Sequence, residues 1–378
     1  MADNQDEERN RLLRVMRECD RILSGARPET VTERAARLAA YAEQALDADE
    51  LPDLYGDGGA PARLEATIAD LLGTEAALVF PTGTMAQQVA LRCHAGATRS
   101  DVVGMHPRAH PLTYERDALS VIGGLRPLEL TSGPGQITGD DVRVAGEPFG
   151  TLFVELPLRD HGFVLPTWDE LLDLVQAGRD RGAALHLDGA RLWESTVGLG
   201  HDLREVVDLF DSVYVSFYKG LGASNGAALA GDSALVEEAH AWRHRYGGRP
   251  FQQWPMAVDA LAALDATLPR LSEYVAHAAT IAAGLAAVPG AIVYPAVPHT
   301  HQFQCWLPFP AATLNRVTLD IALERGVWLA RTWVEPGLPG MSMVEITAAE
   351  AALSWTRDEV SAEFGAFVER VRETPPDA

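Results

Sequence analysis

Asp-Ser-Val-Tyr-Val-Ser-Phe-Tyr-Lys-Gly-Leu-Gly-Ala, from Asp211 to Ala223, contains the single lysine of the chain, Lys219, among 31 Lys and Arg residues. Every other permanent cation is an arginine. Arginine is effectively never deprotonated, whereas a desolvated lysine amine loses its proton and attacks carbonyls. That is Schiff-base chemistry. The count alone fits a chance survivor equally well, so the neighbouring residues must decide. Val213, Val215 and Phe217 alternate with Tyr214, Ser216 and Tyr218, the pattern of a strand. Gly220 and Gly222 end it in a turn. Lys219 is therefore expected at the C-terminal end of a strand, where open α/β sheets bind ligands.

The whole chain sets bounds around this stretch. Its 378 residues, 47% of them hydrophobic, suffice for two or three domains with ordinary cores. A formal net charge of −22 argues against nucleic-acid binding, which needs a cationic footprint. Cys19, Cys93 and Cys305 stand far apart in no metal-binding pattern, so a reduced, cytoplasmic protein is expected. No apolar run is long enough to span a bilayer, and the charged stretch Met1 to Asp20 is no signal peptide.

In order, Asp6 to Leu23 and Thr30 to Leu46 are expected helices, and Leu51 to Gly59 a loop. A helix from Pro61 to Leu72 precedes a short apolar strand, Ala76 to Phe80. Pro81-Thr82-Gly83-Thr84 then opens another helix; free amides and the helix dipole there favour a phosphate. Strands are expected at Val102 to His106, Leu125 to Leu130, Thr151 to Leu156 and Ala183 to Leu187. A helix carrying Glu115 runs toward Val121, and Thr131 to Glu147 is expected to be loop. Thr167 with Glu170 spells a capping box for a helix from Trp168. The repeating strand, loop, helix order from Leu51 to about Asp232 predicts an α/β fold with a mostly parallel central sheet flanked by helices. After helical segments between Glu237 and Leu268, helices mix with strands at Ile292 to Tyr294, Gln302 to Leu307, Val327 to Ala330 and Met343 to Ile346. The expected division is an N-terminal helical arm (1–50), a large α/β domain (51–260) and a smaller C-terminal α+β domain (261–378), with a frayed tail at Pro375 and Pro376.

The strand Ala183 to Leu187 leads into Asp188-Gly189-Ala190-Arg191, one helix-sized crossover before Lys219. Asp188 and Lys219 can face one crevice. A carboxylate and a lysine there could form a plain ion pair, but the phosphate turn adds a third element. Pyridoxal 5'-phosphate explains all three: a lysine for its aldehyde, an acid for its ring nitrogen, a cradle for its phosphate. His110 offers a flat ring for the pyridine face, although a lone histidine is more often structural. Ser216-Phe217-Tyr218-Lys219 also matches the β-lactamase Ser-x-x-Lys signature, but that family needs a second lysine in Lys-Thr-Gly. Gly220 to Gly226 nearly spells a dinucleotide fingerprint, with its third glycine one place late.

Asp53-Leu54-Tyr55-Gly56-Asp57, Phe80 to Ala86, Leu185 to Arg191 and Lys219-Gly220-Leu221-Gly222 together resemble the threonine aldolase and β-eliminating lyase family of fold-type I pyridoxal-phosphate enzymes. The resemblance is sequence-specific from about Leu51 to Gly248. It implies a Schiff base on Lys219, Asp188 at the pyridine nitrogen, and Gly83, Thr84 and Ser216 at the phosphate. It also implies His110 stacked on the ring as a base, and Arg191 beside the cofactor and the substrate carboxylate. The implied assembly is a homodimer or homotetramer acting on a small amino acid. The implied reaction is retro-aldol cleavage of a β-hydroxy-α-amino acid to glycine and an aldehyde. β-Elimination or replacement on another amino acid, and a non-catalytic binding protein on the same fold, are the alternatives.

The departures lie on the substrate side. No Ser-Asp-Thr stretch begins the chain. Leu156-Pro157-Leu158-Arg159-Asp160-His161 stands for the family's Asn-Thr-His segment, and Tyr218 stands where serine commonly precedes the lysine. The family's C-terminal carboxylate-binding arginine has no equivalent near Met343 to Thr347. Arg331 or Arg249 could substitute for it, and Tyr55 is a further substrate-binding candidate.

Overall fold

In the computed structural model, which describes residues 2–375, short apolar runs bounded by turn residues form the strands. They are β1 (Arg21–Ile22), β2 (Ala76–Phe80), β3 (Val102–Met105), β4 (Arg126–Glu129), β5 (Thr151–Glu155), β6 (Ala184–Gly189), β7 (Ser212–Ser216), β8 (Ala227–Gly231), β9 (Ile292–Tyr294), β10 (Gln302–Leu307), β11 (Val327–Trp328) and β12 (Ser342–Thr347). The frayed tail expected beyond Pro375 lies outside the described residues.

Residues Ala35–Arg270 form one compact unit, built on a seven-stranded sheet of order β2-β8-β7-β6-β5-β3-β4. All its pairings are parallel except those of β8, which is antiparallel to both β2 and β7. β5, β7 and β8 are buried along their whole length, as helices on both faces require. On one face the helix Gly83–Thr98 packs Ala86, Val89, Ala90 and Cys93 against Leu78, Phe80, Tyr214 and Leu229. The helix Trp168–Asp180 begins with the expected capping box, Thr167 and Glu170 each bonding the other's backbone N–H.

The other unit joins the residues up to Arg34 to those from Leu271 onward. Its three-stranded antiparallel sheet, β12-β10-β9, backs onto a core that includes Ile281, Leu285, Phe303, Leu314, Trp333, Phe364 and Phe367. The expected helix to Leu23 ends at Glu18 instead. Arg21 and Ile22 become β1, which pairs in parallel with β11, and Met16, Cys19 and Ile22 pack with Ala322 and Trp328. By contacts, the residues up to Arg34 group with this unit, and Ala35 onward with the sheet unit.

Three other elements differ from expectation. Ala227–Gly231, a small-residue run with no alternation, is the antiparallel strand β8. Gly139–Arg143, inside the expected loop, is a helix held by a Thr138–Asp141 capping box. The helix expected through Glu115 breaks into His110–Tyr114 and Ala118–Val121, because Arg116 and Asp117 turn left-handed at φ 50° and 61°.

Candidate active site

β5, β6 and β7 run parallel, and β2 runs with them because β8 opposes both of its neighbours. Their C-terminal ends therefore bring Glu155, Asp188, Lys219 and the Pro81–Gly83 turn to one rim of the sheet. β3 ends there too and leads to His110.

The turn after β7 holds Lys219 in place. Phe217 N–H donates to Gly226 O at 3.2 Å, and Ala223 N–H to Phe217 O at 2.9 Å. The buried Asp259 carboxylate accepts the Ser224 N–H at 2.6 Å and its hydroxyl at 2.5 Å. Gly220 follows the lysine because a Cβ there would lie 2.6 Å from Glu194 Oε2. Lys219 is half-buried. Desolvation, reinforced by the Arg191 guanidinium, holds its amine below the ordinary lysine range, while Asp188 and Glu155 pull the other way.

Asp188 is buried in β6 and accepts the Ala190 N–H at 3.0 Å. It forms no ion pair among the described residues. Burial raises its proton affinity, opposed first by Lys219 and then by His110. His110 is half-buried, its Nδ1 3.3 Å from the Glu115 carboxylate, whose other oxygen accepts Gln88 Nε2 at 3.2 Å. Arg191 follows β6 with its guanidinium 5.2 Å from the centre of the Phe163 ring.

At the N-terminus of Gly83–Thr98 the cap is Thr82, whose hydroxyl accepts the Met85 N–H at 3.3 Å. The Gly83 and Thr84 amides have no carbonyl one turn back. A Cβ at Gly83 would overlap Tyr214 Oη and lie 2.9 Å from Cζ, so only glycine admits this approach. Ser216 closes β7 with a buried hydroxyl that makes no hydrogen bond. The Tyr214 and Tyr218 hydroxyls lie near enough to feel it, without bonding geometry.

The substrate-side candidates are more scattered. Tyr55 is exposed at φ 58°, edge-on to Phe251 at 5.4 Å. Arg249 is committed to that loop, donating to Asp57 at 2.6 Å and to Tyr55 O at 3.1 Å. Arg331 lies exposed in the other unit, beside Gly25. Glu155, Glu194 and Arg159 also belong to this rim, without a motif that marks them in the sequence. Glu155 is buried at the end of β5, with its proton affinity raised to about 7 by burial and then by Asp188. Glu194, also buried, is raised to about 8 by burial. Arg159 is close enough for its charge to lower the Lys219 amine's proton affinity. The sequence marks Glu155 only as an acid closing the run Thr-Leu-Phe-Val, which does not show its burial.

A lysine and a buried acid on the C-terminal rim of this sheet, with a smaller antiparallel-sheet unit, define the architecture of fold-type I pyridoxal-phosphate enzymes. The beta-eliminating lyase family model matches residues 27–305, and the chain belongs to that family. A low specificity L-threonine aldolase of Escherichia coli is 33% identical over 253 residues, covering 65% of this chain and 74% of that one. A solved structure of a candidate L-allo-threonine aldolase from Listeria monocytogenes is 32% identical, with a TM-score of 0.86 over 96% of this chain and 98% of that one. The Leishmania major threonine aldolase structure, 19% identical with a TM-score of 0.67 over 90% of this chain and 95% of that one, shares the fold.

Proposed function

We propose that this protein is a pyridoxal-phosphate-dependent aldolase that cleaves a threonine-like β-hydroxy-α-amino acid to glycine and an aldehyde. The observation that carries it is the convergence of Lys219, Asp188 and His110 on one rim in a chain similar to named threonine aldolases. The residues fit the cofactor. Ser216 keeps a buried hydroxyl without a hydrogen bond, and the helix start at Gly83 and Thr84 lies on the same rim of the sheet. Asp188 is a buried acid near the end of its strand, with one oxygen accepting the Ala190 N–H.

In this reading Gly83, Thr84 and Ser216 would hold the phosphate of a bound cofactor, Asp188 would face its ring nitrogen, and Lys219 would supply the amine for its aldehyde. The bound cofactor supplies an electron sink that weakens a bond at the substrate Cα. The His110 Nδ1 edge faces the Glu115 carboxylate at 3.3 Å, and Nε2 is the ring's other nitrogen. Nε2 is the base for the substrate's β-hydroxyl proton. The depressed amine of Lys219 is neutral more readily than an exposed lysine, so it can carry a proton to or from Cα. Arg191 binds the substrate carboxylate.

Leu51, Leu54, Tyr55 and Phe251 are exposed large apolar side chains, which supports a homodimer or homotetramer. The three cysteines are free and buried, which suits the cytoplasm. Incubation with L-threonine, L-allo-threonine and phenylserine tests the reaction. Glycine and the matching aldehyde are expected in equal amounts. A keto acid with ammonia would replace this reading by β-elimination. No product, with no amino acid perturbing the cofactor spectrum, would leave a binding protein.

A further inference from the structure

Glu155 is the last residue of β5, in register with Asp188 on β6. Residues paired laterally in a sheet point to the same face, with strands about 4.8 Å apart. Both of its carboxylate oxygens are used. Oε2 accepts the His110 N–H at 2.8 Å, and Oε1 the Arg159 N–H at 3.3 Å. Its carbonyl accepts Gln136 Nε2 at 2.7 Å. The side chain thus joins the His110 and Arg159 segments, while the backbone carbonyl takes Gln136. We propose that Glu155 is a positioning residue, tying the His110 backbone and the Arg159 turn to the Asp188 strand and setting the charge balance around Lys219. This rests on the cofactor reading above.

The chemistry asks for a carboxylate. A glutamine has one acceptor oxygen, and its amide nitrogen would meet the second N–H donor head-on. The charged and titratable groups facing Glu155 are Asp188 on β6, Lys219 after β7, and the His110 and Arg159 segments. Burial and Asp188 favour its protonated form; the two N–H groups and Lys219 favour the anion.

Two variants separate reach from charge. Glu155→Gln keeps the size and removes the anion. Glu155→Asp keeps the anion and shortens its reach. In cofactor-free protein, amide exchange across His106 to Tyr114 is expected to quicken at least about tenfold in both. With pyridoxal phosphate bound, losing a nearby anion weakens proton binding at the Lys219 nitrogen. The midpoint of the cofactor's absorbance titration is expected to fall by about one unit in Glu155→Gln and to hold in Glu155→Asp. The kcat for threonine is expected to fall at least about tenfold in both, with KM little changed. Unchanged exchange and an unchanged midpoint in Glu155→Gln would overturn the inference, even if activity fell. Should Glu155→Gln fail to fold, slow wild-type exchange and a wild-type kcat in Glu155→Asp would overturn it. Wild-type protein that takes up no cofactor would refute the aldolase reading, while the exchange arm would still decide the role of Glu155.

Discussion

An amine that must be neutral to attack a carbonyl is best placed where water is scarce and a second cation stands close. Lys219 has both, in burial and in Arg191. Lys219→Arg keeps a cation but cannot form a Schiff base. It is expected to lose about three orders of magnitude or more in glycine release, measured under saturating cofactor. Asp188→Asn removes the acid facing the ring nitrogen. It is expected to bind cofactor yet lose about a hundredfold or more in kcat, read by steady-state assay beside a cofactor titration. Lys219 and Asp188 were legible in the sequence because rarity and strand-end position marked them. Glu155 and Glu194 were not, since a single acid beside an apolar run says nothing of burial until the neighbouring strands are placed. Arg249, one of two arginines the sequence offered for a carboxylate, donates to Asp57 and Tyr55 O, a pairing that the sequence does not show.

The helix Gly83–Thr98 connects the phosphate turn to the body of the sheet. His94 Nε2 and His186 Nδ1 each lie 2.6 Å from Ser212 Oγ, and His186 Nε2 lies 2.7 Å from Gln87 Oε1. All four side chains are buried. Burial lowers the His94 pKa to about 4 and holds that of His186 well below the usual range. Unfolded histidine takes its proton near 6.5, so as pH falls below that value the unfolded chain gains protons that the folded one refuses. Stability is therefore expected to decline from about pH 6.5 toward 4, by on the order of 3 kcal/mol from His94 alone. Melting temperature against pH measures this; His94→Gln should flatten the slope, and an unaltered slope would remove His94 from the account. At the other end of this helix, Gly83→Ala drives a methyl into Tyr214. Weaker cofactor binding, by roughly 1–3 kcal/mol, is expected in an equilibrium titration. Five-residue runs such as Ala76–Phe80 were readable as strands because their length excludes a buried helix. Gly139–Arg143 was not readable, since its support is a Thr138–Asp141 cap within a polar stretch. Nor was β8, whose alanines and glycine carry no β-signal and become a strand only between β2 and β7.

Across the whole molecule, the repeated strand-loop-helix order was enough to read a mostly parallel sheet with its site on the C-terminal rim. The grouping of the chain's first residues with its last third was not readable, because β1 is two residues long and exists through its pairing with β11. The proposed reaction depends on this one sheet presenting one amine to an aldehyde. The chain has a single lysine, so the whole protein can be assayed as one reporter. Purified protein is saturated with pyridoxal phosphate, reduced with borohydride and weighed intact, then digested and mapped. One pyridoxyl phosphate per chain, on the peptide spanning Tyr218 to Gly220 and absent from Lys219→Arg, is the predicted result. An intact mass without the added group, or the group retained in Lys219→Arg, would contradict it.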